Sequence, residues 1–342
     1  MIRFTKMDGA GNDFVCLDAV GDPALGDRQD LSQLAVAMTN RQSGVGVGRR
    51  MRVGADGLIL IQRPPTAGDR VVGMRYFNAD GTESQVCGNG IRCVVKYAID
   101  HGLVRGPHHG RRLIVGIGGR RIEATYGLAP GSGEVQSITV DMGKPILDLA
   151  EIPVDSTLLA PARPEGGETK QLPGPEPPFH RVELTPHRRI GLEAHSPIGQ
   201  EPTTFSAVFV SMGNPHAIIY TDNVAAVDLA RLGPPLETHP AFPDRMNIHF
   251  VQTTGVDEAF IRSWERGSGV TRACGSGACA VCVAGVITGR TGRALLAHLP
   301  GGDLEIRYDT RTDHVFMKGP AVEEFSGQWE VLRAATIGPH EP

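Results

Sequence analysis

Apolar and polar positions alternate along Ile2 to Met7 as in a β-strand. A tight polar turn follows, Asp8-Gly9-Ala10-Gly11-Asn12-Asp13, and Phe14 to Leu17 resume as a second strand, so the chain opens on a hairpin. Leu31 to Met38 has helical spacing, and Gln42 to Gly54 reads as a loop rich in Gly and Arg. Leu58 to Ile61 predicts a short buried strand after the turn Ala55-Asp56-Gly57, and Val71 to Phe77 another that ends in Asn78-Ala79-Asp80-Gly81. Cys87 opens a helix through about Asp100, with His101-Gly102 as its stop. Leu113 to Ile117 and Arg121 to Tyr126 pair around Gly118-Gly119.

A second series begins after Pro130-Gly131-Ser132-Gly133 with Ser137 to Asp141. Residues 155–204 hold nine prolines and little periodicity, which predicts a long, partly flexible insertion. Strand patterning returns at Phe205 to Ser211, Ala217 to Tyr220 and Arg245 to Gln252. Leu304 to Tyr308, His314 to Lys318 and Trp329 to Ala334 are the closing strands. The run CGSGACAVCVAGVI, Cys274 to Ile287, is apolar on nearly all sides, so a helix there must be enclosed, here by a strongly curved sheet. Many strands with one long helix per half, and no continuous βαβ alternation, predict an α+β fold.

The pattern also repeats. A shift of 187 positions carries Cys87-Gly88-Asn89-Gly90 onto Cys274-Gly275-Ser276-Gly277. The same shift puts Arg75 on Arg262, Phe77 on Trp264, Asn78 on Glu265 and Gly102 on Gly289, without a gap. Looser matches relate Lys6–Leu17 to the stretch around Met212–Tyr220, and Arg52–Gln62 to Arg245–Gln252. Self-similarity at half the chain length points to a duplicated domain, since solenoid periods are far shorter.

Composition narrows the function classes. At 342 residues, two domains each have room for a core. A net charge of −4 argues against a general nucleic-acid or anionic-membrane binder, and Arg49-Arg50-Met51-Arg52 and Arg111-Arg112 read as solvated loop charges. No apolar run has bilayer length and Met1 to Lys6 carries no signal-peptide core, so the expected location is the cytoplasm, with reduced cysteines. Cys279-x-x-Cys282 lies inside the apolar helix with no second such pair and no nearby His. It reads as core, like Cys16 and Cys93, more than as a metal or redox site.

The chemistry follows from the repeat. Each half offers a cysteine at a helix N-terminus, where free N–H groups and the helix dipole stabilise an anion. If the halves face each other across a cleft, two thiols flank one carbon. Inversion of a centre beside a carboxylate needs a base on one face and an acid on the other, which Cys87 and Cys274 can supply. Burial favours the thiol and the dipole favours the thiolate, so both states are expected near neutral pH. Helix-end amides can hold the substrate carboxylate and the charge that develops on it. His216 and Glu265 could relay protons; the alternatives are a surface-loop His beside Pro215 and an acidic residue on the approach to a helix. Asn12, Asn78, Asn89, Asn214 and Asn247 stand at turns, where Asn is common for backbone reasons, and also form a hydrogen-bonding set suited to an amino acid. No Lys stands in a setting suited to pyridoxal phosphate, and no cofactor or metal is expected.

Lys6-Met7-Asp8-Gly9-x-Gly-Asn12-Asp13-Phe14, Asn78 to Gly81, Cys87-Gly88-Asn89-Gly90-x-Arg92-Cys93, Ser211 to His216, Glu265-Arg266-Gly267 and Ala273 to Ala278 occur in one order across nearly the whole chain. Together they resemble the diaminopimelate epimerase family. The resemblance implies pyridoxal-independent interconversion of LL- and meso-2,6-diaminopimelate, in lysine and peptidoglycan synthesis. It implies Cys87 and Cys274 as the acid/base pair, with His216 and Glu265 assisting. Substrate contacts would be Asn12, Asn78, Gly88, Asn89, Asn214, Asn247, Glu265, Arg266, Gly275 and Ser276. It also implies two pseudo-symmetric halves, each a curved mixed sheet around a central helix. The expected division is 1–134 with the returning segment 328–342, and 135–327 carrying the insertion 155–204. A small amino-acid substrate is the expected partner, and a homodimer the expected assembly. The family's compact Arg-x-x-Gly-x-Gly-Ala-Asp-Gly is stretched here to Arg41 through Gly57, so a racemase or epimerase of another amino acid is the alternative.

Overall fold

The computed structural model describes residues 1–46, 54–64, 70–84, 87–104, 109–161, 179–184 and 203–330. The duplication reappears as two copies of one strand plan. In the first half, Ile2–Asp8 pairs antiparallel with Asp13–Asp18, which runs parallel to Gly57–Gln62. Val71–Asn78 lies antiparallel to Gly57–Gln62 and parallel to Arg112–Ile117, and Arg120–Leu128 and Val135–Asp141 complete the series. In the second half, Thr203–Ser211, Pro215–Tyr220, Asn247–Thr253, Glu258–Glu265, Ala294–Leu299, Gly302–Asp309 and His314–Gly319 repeat the same senses in the same order.

Parallel neighbours need crossovers. Each half has two, and each crossover carries one helix: α1 (Leu31–Thr39) and α2 (Gly88–Asp100), then α3 (Leu229–Glu237) and α4 (Gly275–Ile287). The last strands of the two plans, Val135–Asp141 and His314–Gly319, pair with each other and join the halves. The expected boundary at 134/135 falls at the start of this shared strand. Val322–Trp329 then returns to pair along Ile2–Asp8.

Polarity decides which helix goes inside. α4 buries Gly275 and Gly277 through Gly285, so no side of it can face water, and strands of its own half surround it. α2 buries Ile91 through Val95, and both helices contribute to one continuous core. α1 and α3 are amphipathic and cover the outer faces of the two sheets in separate clusters.

Four details differ from the sequence reading. α3 was not expected, because Pro234 and Pro235 remove two backbone donors inside it; the Asp228 carboxylate accepts from the Arg231 N–H and caps its start. Ala294–Leu299 is an additional strand, with Leu295, Ala297 and Leu299 turned inward. Within the expected insertion, Phe179–Leu184 pairs antiparallel with Thr203–Ser211, occupying the place that Val322–Trp329 takes beside Ile2–Asp8. The closing strand ends at Trp329, and residues 331–334, expected to extend it, lie outside the described residues. Among the described residues no helix is long and apolar enough to cross a membrane.

Candidate active site

The two cysteines take equivalent places. Each is the N-cap of its central helix with extended backbone: Cys87 at φ −149°, ψ 97° before α2, Cys274 at φ −119°, ψ 101° before α4. Extended backbone at an N-cap aims the side chain at the orphan amides of the first turn. The Cys87 sulfur accepts from the Gly90 N–H at 3.3 Å. The Cys274 sulfur makes no such cap bond and lies 3.8 Å from the Ser276 hydroxyl.

The first turns of α2 and α4 meet. A Cβ on Gly275 would stand 2.7 Å from the Asn89 Oδ1, and one on Gly88 would stand 2.8 Å from the Met317 methyl. Met317 packs on Gly275 as well, at 2.9 Å from the same hypothetical atom. Glycine at 88 and 275 therefore permits the approach of the two cysteine-bearing turns.

Glu265 serves both. Its carboxylate accepts from the Thr271 hydroxyl at 2.5 Å, and its charge acts on the Cys274 thiol. Its charge also reaches Cys87. Burial raises the Glu265 carboxyl above its ordinary range, against the opposing effects of Thr271 and Cys274. Burial likewise pushes the Cys87 thiol up to about 12, against the Gly90 N–H, with Glu265 adding to the rise and Arg92 opposing it. Cys274 rises well above its ordinary value through burial and the adjacent Glu265 charge. Desolvation thus outweighs the helix ends, and both groups are thiols at neutral pH. That corrects the expectation of near-balanced states.

His216 is not on a surface loop. Pro215–Tyr220 is a strand, and the ring is fully buried. Its Nε2 is 3.0 Å from the Asn214 Oδ1 and its Nδ1 is 2.9 Å from the His249 Nε2; His249 Nδ1 in turn is 2.8 Å from the Ser263 hydroxyl. Burial, then the neighbouring His249, hold His216 well below its ordinary pKa, and burial lowers His249 to about 3. Both are neutral. His216, His249 and Cys274 each place one donor atom within 4.8 Å of the other two.

Besides Asn214, the asparagines fall into three groups. Arg92 Nη1 donates to Asn89 Oδ1 at 3.0 Å, Asn89 Nδ2 to Asn12 Oδ1 at 3.4 Å, and Asn12 Nδ2 to Asp56 Oδ2 at 2.7 Å. This directional chain fixes the orientation of both amides. Asn247 donates to the Pro215 carbonyl at 2.8 Å and accepts from the Arg266 N–H at 3.0 Å, which ties two strand ends together. Asn78 donates to the Thr82 hydroxyl at 2.9 Å in its own turn, and its strand position pairs with Gly57.

Sequence reasoning missed His249, Ser263 and Arg92. His249 follows Asn247 at i+2, so strand alternation puts both on one face, the available signal for it. Arg92 is fully buried, and its bonds go to the carbonyls of Gly9 and Pro320 as well as Asn89. Nothing local announces this. Cys279 and Cys282 are buried in the core, as expected of small apolar residues there.

A sequence model described as diaminopimelate epimerase matches residues 4–147 and 208–323. The protein from Pelotomaculum thermopropionicum named diaminopimelate epimerase is 38% identical over 328 residues, covering 96% of this chain and 99% of the relative. The protein of that name from Desulforudis audaxviator is 39% identical over 328 residues, with the same two coverages, 96% and 99%. Among solved structures, a probable proline racemase from Agrobacterium radiobacter shares the fold at a TM-score of 0.59 and 11% identity, covering all of this chain and 95% of that one. With both cysteine turns inside the matched segments and the likeness extending over nearly the full length, the chain belongs to the diaminopimelate epimerase family.

Proposed function

We propose that this protein is an isomerase that inverts one α-carbon of LL-2,6-diaminopimelate to give the meso isomer, without a cofactor, in lysine and peptidoglycan synthesis. The observation that carries the reading is the meeting of the two N-capping cysteine turns, with Asn89 against Gly275 and Glu265 acting on both thiols. The amide N–H groups of the two first turns hold the substrate carboxylate and its developing enolate charge. Asn12, Asn78, Asn89, Asn214, Asn247, Arg266 and Ser276 bind the rest of the molecule.

The proton inventory balances. Both cysteines begin as thiols, so the thiol acting as base first gives its proton to Glu265, while neutral His216 assists as a hydrogen-bonding group beside Cys274. The thiolate so formed then takes the α-hydrogen from one face. The thiol opposite delivers its own proton to the other face and becomes the thiolate. The reverse reaction exchanges the roles. A carboxyl raised by burial suits this transfer, since it takes a proton more readily than an exposed one and still returns it to a thiolate.

Turnover in heavy water tests the reading. Starting from one stereoisomer, early product carries deuterium at the inverted centre while remaining substrate stays largely unlabelled. Early product that retains its original hydrogen overturns the two-thiol assignment. Cys87→Ala and Cys274→Ala each abolish inversion in both directions. The longer loop from Arg41 to Gly57 supports one alternative, another amino acid as substrate, and turnover on LL-diaminopimelate against shorter amino acids decides between them. A cytoplasmic homodimer is the assembly that goes with this reading.

A further inference from the structure

The His216–His249 contact has a second use. Asn214 Oδ1 is an acceptor, so His216 carries its proton on Nε2 and presents a lone pair at Nδ1. The Ser263 hydroxyl can donate to or accept from His249 Nδ1. When it donates, the His249 proton lies on Nε2 and is shared with His216 Nδ1. When it accepts, the proton lies on Nδ1, and the two inward nitrogens both present lone pairs. That second state needs a cation between them, and the Cys274 sulfur lies within 4.8 Å of a nitrogen from each ring.

We infer that His216, His249 and Cys274 form a site for a borderline-soft divalent cation of the Zn2+ type, whose occupancy silences the Cys274 half of the active site. The donor set is two imidazoles and one thiolate, all buried, with each ring oriented from behind by a polar partner, as metal-ligating histidines are. Tetrahedral zinc at ordinary bond lengths separates two nitrogens by about 3.3 Å. The two facing nitrogens, now 2.9 Å apart, therefore separate by only about 0.4 Å. Three protein donors leave one position for water, the pattern of an open site. Binding expels one proton, from the Cys274 thiol; the His249 proton moves from Nε2 to Nδ1 and the Ser263 hydroxyl turns to accept it. The ion is an inhibitor, not a participant in turnover.

The test uses reduced, metal-free, full-length protein titrated with Co2+ as an optical stand-in for Zn2+. One equivalent should bind with a sulfur-to-cobalt band, tetrahedral visible bands and release of one proton. Cys87→Ser should keep these bands and Cys274→Ser should lose the sulfur band. His249→Gln should weaken binding by more than ~100-fold, and Ser263→Ala, which keeps all three donors, by ~10–100-fold. Zn2+ should displace Co2+ and stop turnover, with recovery on adding EDTA. Absence of the bands, their loss in Cys87→Ser, or affinity unchanged in both His249→Gln and Ser263→Ala overturns the site. The cobalt titration needs no turnover, so its failure is distinct from failure of the proposed reaction.

Discussion

Asn89, in the first turn of α2, lies against Gly275, in the first turn of α4: a side chain on 275 would begin 2.7 Å from the Asn89 carboxamide oxygen. Gly275→Ala therefore pushes Asn89 and Met317 away and spreads the two cysteine turns. Turnover should fall by at least ~100-fold, because small misplacement of reacting groups is costly. Stability should fall by only about 1–3 kcal/mol, the usual range for overpacking. Kinetics with a thermal melt separate the two, and near-normal turnover would mean that the turns do not flank one carbon.

Glu265→Gln removes the carboxylate beside the Cys274 thiol while keeping its size. Proton transfer by a positioned group contributes about 10²–10⁴-fold, and a loss of that order is expected. The deuterium pattern in heavy water should stay unchanged, since the two sulfurs still address opposite faces.

Arg92→Lys replaces a fork with a point charge. Arg92 donates to the carbonyls of Gly9 and Pro320 and to Asn89 Oδ1, at 2.9, 3.1 and 3.0 Å. A lysine reaches fewer of these, and each buried acceptor left bare costs about 1–3 kcal/mol. Chemical denaturation should show that loss, and kcat/KM should fall with it as the Asn89–Asn12 chain loosens.

Asp13 sits between buried Lys6, at 2.8 Å, and Arg41, at 2.7 Å. Burial would raise its carboxyl, but the bonds from Arg41 and Lys6 outweigh that and hold it well below the ordinary range. The stabilisation is complete above the unfolded value, about 3.9, and is lost as pH falls from there toward the folded value. Asp56, raised by burial and by Asp13, offsets part of the effect. Asp13→Asn leaves Lys6 buried without its anion and should cost about 3–5 kcal/mol at neutral pH, with a shallower loss below pH ~4 than wild type. Denaturation across pH checks both.

Leu184 and Thr203 are register partners in one antiparallel pair. Residues 185–202 should therefore be replaceable by a short Gly/Ser hairpin loop, since two to five residues suffice for such a connection. Steady-state turnover should survive the replacement. A folded variant that binds substrate normally but does not turn it over would place a catalytic group in that segment.

Local chemistry made much of this legible. The alternating run at Ile2–Met7, the short apolar run at Leu58–Ile61, the helices opened by Cys87 and Cys274, and the 187-residue repeat were all visible in sequence, and the structure puts strands, N-caps and a duplicated strand plan there. α3 was hidden because Pro234-Pro235 carries a breaker's signal, whereas tertiary packing of Leu229 and Leu236 under the sheet decides the outcome.

What the sequence by itself determined is the duplication, the type of most main elements and the placing of one cysteine at the head of each central helix, because propensity, capping and periodicity act over a few residues. Only the tertiary structure decided that Asn89 meets Gly275 and that Arg92 reaches Pro320 in the other half. It likewise decided that His216 and His249, on neighbouring parallel strands, share a buried bond in front of Ser263. Those contacts join residues far apart in the chain. They depend on strand register and on desolvation, and the same desolvation holds both active-site sulfurs as thiols although each sits at a helix end that favours the thiolate.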